Sequence, residues 1–173
     1  MLFRSASRFE QPSADAPSSI TVITAEEIRR QGWRTLEELI ANVRGFSVTS
    51  DRNYGTLGFR GFARGGDYNS RLLLLVDGVR INGNVYGEVD YGRGGIIDTD
   101  LIERIEFVRG PGSSVYGSSA FFGVINIISK RGRDIAGTEL GAGTGSHRAT
   151  ELAARAGRRL ETGLEYVVSA SGF

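Results

Sequence analysis

The chain has 173 residues, 21 basic and 20 acidic, for a formal net charge of +1; that balance lacks the clustered positive excess a nucleic-acid footprint needs. It has no cysteine and a single histidine, His147, which removes disulfides, thiolate metal sites and cysteine nucleophiles and leaves an imidazole with no second one to share its task. Hydrophobic residues at 40% and charged ones at 24% suit a folded chain long enough for one domain and part of another, and no apolar run approaches the ~20 residues of a membrane-spanning helix.

Residues 1–18 contain Pro12 and Pro17 and hold no period, so they read as an extended lead-in. The first residues, MLFRSASRFEQ, lack the apolar core of a secretory signal. Ser19–Ile23 is a short strand, and Thr24 with Glu27 has the spacing of a capping box for a brief helix that Gly32 stops. Thr35 with Glu38 repeats the pattern. Leu36, Leu39, Ile40 and Val43 then share one helical face, which predicts a scaffold helix ending near Gly45.

Phe46–Thr49 is the next strand, followed by a segment from Asp51 to Asn69 rich in Gly, Arg, Asn and Tyr. Arg71–Gly78 (RLLLLVDG) predicts a strand covered on both faces and a turn at Asp77-Gly78. Val79–Asn82 continues briefly. The loop from Gly83 to Gly95 carries Asn84, Tyr86, Glu88, Asp90, Tyr91 and Arg93, and it is long for a mere connector.

Ile96–Leu101 leads into the stretch from Glu103 to Lys130, where Ile102, Ile105, Phe107 and Val108 alternate with Glu103, Arg104, Glu106 and Arg109 as in a strand with one buried face. Gly110-Pro111-Gly112 forces a sharp turn. Val115-Tyr116-Gly117 suits a single helical turn, and Gly123–Ser129 (GVINIIS) is β-branched and reads as a strand. The glycine-rich turn does not match the phosphate-binding pattern GxxxxGK[ST]. Asp77, Asp98 and Asp100 lie at predicted strand ends with no partner base, which gives an enzyme reading little support. After Lys130 the texture changes: Thr138–Thr144, Ala149–Ala156 and Gly163–Ser171 loosely alternate with a period of two, as in either barrel strands or a soluble meander.

The ordered set Ile102–Glu106, Arg109–Pro111, Tyr116-Gly117, Gly123, Ile125-Asn126-Ile127, Ser129 and Lys130 closely resembles the C-terminal signature of the plug domain of TonB-dependent outer-membrane receptors. Gly58-Phe59-Arg60-Gly61-Phe62 resembles the R-G-F motif of the same plugs, and the buried strand ending in Asp77-Gly78 also has its counterpart there. The resemblance covers about residues 5–132. It implies an α/β (α+β) plug with a small mixed sheet and short helices, followed by antiparallel strands of an incomplete transmembrane β-barrel. The implied division is a lead-in over 1–18, a plug over 19–132 and a barrel start over 133–173. Three strands cannot close a barrel where plugged transporters have about 22, which favours the front of a longer receptor over the alternative of a natural short product.

Several roles follow from the resemblance alone. Glu103, Arg104, Glu106, Gly110, Pro111, Tyr116, Gly117, Gly123 and Asn126 would form the plug signature. Arg60 and Arg109 would pair with carboxylates on the barrel wall, with local turn capping as the equal alternative. The loops 51–70 and 83–95 would meet ligand from outside, Tyr54, Tyr86 and Tyr91 by stacking and Arg64, Asn69 and Arg93 by hydrogen bonding; the other reading rests the tyrosines on the barrel wall. No cofactor, metal site or catalytic residue is implied. The expected partner is TonB with its inner-membrane energising complex, although nothing before Arg8 matches a TonB box. The expected place is the outer membrane of a Gram-negative bacterium, with the export signal outside this chain. Ferric siderophore stands first among cargoes, with cobalamin, haem and copper complexes behind it. The competing class is a soluble plug-like periplasmic module for binding or signalling.

Overall fold

A computed structural model of the chain describes residues 2–3, 11–12, 19–50, 55–62, 66, 68–91, 97–110, 112–144 and 150–172. They belong to two compact units, 1–129 and 130–173. In the first, β1 (Leu2–Phe3) pairs antiparallel with β2 (Gln11–Pro12). β3 (Ser19–Thr24) then runs directly into α1 (Ala25–Gln31), where the Thr24 hydroxyl accepts from the Glu27 N–H at 3.4 Å. Gly32 ends the helix at φ 72°, a conformation that favours glycine.

The second cap differs in one detail from the spacing rule. Thr35 does cap α2 (Leu36–Ala41), accepting from Glu38 N–H at 3.1 Å, but the Glu38 carboxylate reaches past Thr35 to accept from Arg34 N–H at 2.8 Å. The helix stops at Ala41, before the expected Gly45, because Asn42 closes it: its side-chain amide donates to the Glu38 carbonyl at 2.8 Å. Leu36, Leu39, Ile40 and Val43 are all buried, as their spacing requires.

β4 (Phe46–Ser50) pairs antiparallel with β5 (Gly55–Phe59), so the stretch expected to be a loop over 51–70 holds a strand. β6 (Leu72–Val76), β7 (Val79–Arg80), β8 (Ile102–Arg109) and β9 (Gly123–Ser129) join β3 in one five-stranded sheet of order β3-β8-β9-β6-β7. The β6–β9 pair is parallel and the others antiparallel. A 3-10 turn over Thr99–Leu101 precedes β8, and the expected single helical turn is present as α3 (Ser113–Tyr116), starting two residues earlier than Val115 and ending before Gly117.

β8 departs from expectation. It lies between β3 and β9, and both of its faces are covered: Ile105 and Phe107 belong to the main core with Ile28, Leu39, Phe46 and Phe59, whereas Val108 packs on the other side with Leu73, Leu75 and Val124. Alternating charge had indicated one buried face, but Arg104 satisfies the fully buried Glu106 from within the strand, Nε to Oε1 at 3.0 Å, and binds Glu103 at 2.9 Å. A buried charge so paired is tolerated.

Gly123, first residue of β9, sits where a Cβ would lie 2.6 Å from the Val108 carbonyl oxygen. Gly123→Ala is therefore expected to push β9 off β8 at a cost of ~1–3 kcal/mol, read as faster hydrogen exchange of Val108 and Val124.

The second unit begins with α4 (Gly132–Ile135) and continues as an antiparallel meander, β10 (Gly137–Thr144), β11 (Thr150–Arg159) and β12 (Glu165–Gly172). Directly opposed residues share a face. The register puts Leu140, Ala154 and Ala170 on one rung, and Leu152 and Val168 on the same side. Leu140 is 82% exposed, and Leu152 and Val168 are each 63% exposed. Glu139 with Arg155, and Glu165 with Arg159 and Arg133, form ion pairs from the opposite face. The sheet thus has a side left open that is apolar apart from a few threonines and Arg158, and a charged side.

Candidate functional site

Two loops of the first unit, 68–70 and 83–91, come together, the Val89 N–H donating to the Tyr68 carbonyl at 3.2 Å. Each is fixed by a buried asparagine that stands in for a missing strand. The Asn82 Oδ1 accepts from Leu74 N–H at 2.8 Å while its Nδ2 donates to the Leu72 and Gly87 carbonyls, each at 2.9 Å. In this way one side-chain amide completes the ladder of β6 beyond the end of β7. Asn69 does the same for β5, accepting from Leu57 N–H at 2.8 Å and donating to the carbonyls of Gly55 at 2.9 Å and Val89 at 3.2 Å.

Held in this way, the loops present Tyr68 and Tyr86, 63% and 70% exposed, with ring centroids 6.0 Å apart and planes inclined by 32°. Val85 stands exposed beside them. The backbone there is strained at Tyr68 and Asn69, which have φ of 54° and 62°. Left-handed non-glycine residues persist only where their surroundings over-determine them, and they cluster at ligand clamps. The Glu88 carboxylate adds a bond from Tyr86 N–H at 3.2 Å.

The residues proposed from sequence for ligand contact do not all assemble here. Tyr86 does. Tyr54, Arg64 and Arg93 lie outside the described residues. Asn69 is corrected: its amide is spent on three backbone groups and is buried. Tyr91 is corrected too, since its ring is in the core, 3% exposed. Its hydroxyl has no hydrogen-bond partner among the described residues, and burial pushes the phenol far above its ordinary range. Because the unfolded chain releases this proton near pH 10 and the folded one does not, stability is level below that pH and falls above it, by up to ~1.4 kcal/mol per unit. Tyr91→Phe should remove this share of the alkaline decline and, by deleting an unpaired buried hydroxyl, raise stability by ~1 kcal/mol at neutral pH; denaturation midpoints at pH 7 and 11 check both.

Sequence reasoning missed Tyr68 and Asn82. Asn82 was readable as a polar residue directly after a strand, but nothing local marks it as buried.

The two arginines take different settings. Arg60 is exposed at φ 52°, its guanidinium 5.2 Å from the Phe59 ring centroid. Arg109 is half-buried, one Nη reaching the Arg44 carbonyl at 3.4 Å while its Nε is buried without a hydrogen-bond partner among the described residues. Among the signature residues, Glu103, Arg104 and Glu106 form the ion-paired cluster of β8, Asn126 is buried opposite Glu106, and Tyr116 packs beside Val124 and Ala120. Gly110 and Gly117 have φ of 120° and 76°; Pro111 lies outside the described residues.

Residues 12–124 match the family model of the TonB-dependent receptor plug domain. The vitamin B12 transporter BtuB of Vibrio cholerae serotype O1 is 37% identical over 152 residues, which are 88% of this chain and 24% of that protein. The ferripyoverdine receptor of the outer membrane of Pseudomonas aeruginosa superposes with a TM-score of 0.78 at 19% identity, over 99% of this chain and 22% of that one. The ferric enterobactin receptor PfeA of P. aeruginosa gives 0.65 at 26% identity, over 89% and 24%. The chain therefore spans about a quarter of the length of these relatives. On the match over residues 12–124 and the 37% identity, the chain belongs to the TonB-dependent receptor plug-domain family.

Proposed function

We propose that the chain is the gate of an outer-membrane receptor for energised uptake of a scarce nutrient, with no chemistry done on the cargo. The observation that carries this is the succession of units: a plug-family fold, then a sheet with one mainly apolar, open face and one charged face. A wall between lipid and a wet lumen needs that alternation. In this reading the plug over 19–132 fills the lumen of a barrel that starts over 133–173, TonB captures the lead-in, and Arg60 and Arg109 meet wall carboxylates. The Arg109 Nε, which has no acceptor among the described residues, fits such a contact, because a buried guanidinium donor seeks one.

Tyr68 and Tyr86 form the cargo-facing platform; a ligand role for Tyr54, Arg64 and Arg93 rests on the family resemblance alone. We place a ferric siderophore first, in keeping with the ferric enterobactin receptor at 26% identity. Cobalamin is the second reading, favoured by the 37% identity to a vitamin B12 transporter. Uptake of iron-labelled siderophores and of cobalt-labelled cobalamin by cells with and without the gene tests both. TonB-dependent accumulation of one label is the expected result. Equal accumulation by the deletion strain for every cargo would overturn the receptor reading.

A further inference from the structure

We infer that Arg158 and Tyr166 form a headgroup site for an anionic phospholipid on the open face of the second unit. This rests on the outer-membrane reading above. The two residues are opposed across β11 and β12, on the same face as Leu152, Ala154 and Val168. On that face Arg158 is the one charged residue among the described positions of the three strands; Glu139, Arg155, Arg159 and Glu165 all belong to the other side. Arg159 is engaged there by Glu165 at 3.5 Å. No carboxylate among the described residues pairs with Arg158, which is exposed.

The apolar part of the face supplies the other half of a lipid's chemistry. Leu140, Leu152, Ala154 and Ala170 line a shallow depression of about 550 Å³. Arg158 is four residues along the strand from Ala154, ~13 Å at strand rise, which lies within the ~15 Å half-thickness of a hydrocarbon core. An acyl chain lying in the depression puts its phosphate beside the guanidinium, a planar fork suited to bidentate phosphate contact, and the Tyr166 phenol at the interface. The rung is also braced from behind. Gly132 of α4 packs so closely that a Cβ would lie 2.6 Å from the carbonyl oxygens of both Arg158 and Tyr166.

The test uses the whole receptor in nanodiscs of phosphatidylethanolamine and phosphatidylglycerol, with retained lipid counted by native mass spectrometry. Wild type is expected to enrich phosphatidylglycerol, Arg158→Gln to lower that enrichment about fivefold, and Arg158→Lys and Arg159→Gln to keep most of it. Equal retention by wild type and Arg158→Gln, or an equal loss in Arg159→Gln, would sink the site. So would retention of lipopolysaccharide instead, or displacement by inorganic phosphate at the same concentration as the lipid. A receptor stripped from membranes by alkaline washing overturns the outer-membrane reading and the site together, whereas one that stays inserted without preferring phosphatidylglycerol overturns the site alone.

Discussion

Asn82→Ala is expected to cost the first unit ~3–6 kcal/mol. The substitution leaves the Leu74 N–H and the Leu72 and Gly87 carbonyls without the partner that now meets all three, and each stranded buried group costs ~1–3 kcal/mol. Water can reach the Gly87 side more easily than the β6 side, which holds the sum below its upper bound. Hydrogen exchange on the whole receptor reads this locally: the amides of Leu72–Val76 should lose protection while those of β10–β12 keep theirs. Because Asn82 also fixes Gly87 next to Tyr86, cargo affinity should fall with it. Asn82→Asp separates the two donations from the one acceptance, since a carboxylate still accepts from Leu74 N–H but faces two carbonyl oxygens. That variant should be as weak as alanine at neutral pH. It should regain part of the loss as its carboxyl protonates, because its folded pKa is raised and the lost stability returns below that value. Unchanged exchange at β6 in Asn82→Ala would refute the side chain's role as a strand substitute.

The contrast between Thr35 and Asn82 marks what a sequence makes legible here. Thr35 and its acceptor relation to Glu38 N–H are local, three residues apart, so the spacing alone locates the cap. Gly32, Asp77-Gly78 and the apolar stripe of α2 are local in the same sense, and so is the period of two in β10–β12. Asn69 looked like a ligand contact because an asparagine in a polar loop usually faces water, and its three partners lie 12, 14 and 20 residues away. Tyr91 was misread for the same reason: an aromatic residue in a glycine-rich loop carries no mark of the core pocket it enters. Strand β5 was hidden because the alternation in GTLGF is only Leu57 and Phe59 long and two of its five residues are glycines, which weaken a strand, so it is fixed by pairing with β4. The signature around β8 was legible as a pattern, but the fully buried state of Glu106 follows from β8's central place in the sheet, a property of topology.

Leu140→Arg decides between a membrane wall and a soluble meander, because the two environments assign it opposite costs. Leu140 is the most exposed of the large hydrophobic residues on the open face, and its neighbours on the rung are Ala154 and Ala170, so no packing holds it in place. In water such a substitution changes stability by no more than about 0.5 kcal/mol and lowers the tendency to aggregate. Against lipid, an arginine deep in the hydrocarbon costs ~2–4 kcal/mol, falling toward zero near the interface. Receptor carrying Leu140→Arg should therefore reach the outer membrane in reduced amount and unfold at lower denaturant concentration in bilayers. Glu139→Gln, one residue away on the charged face, should leave both nearly unchanged because Arg155 has lost only a half-exposed partner at 3.5 Å. Equal behaviour of the two variants would remove the lipid-facing assignment of this sheet, and with it the principal support for the barrel start. A loss confined to Leu140→Arg has no counterpart in a soluble module, since such a module gains solubility from the added charge.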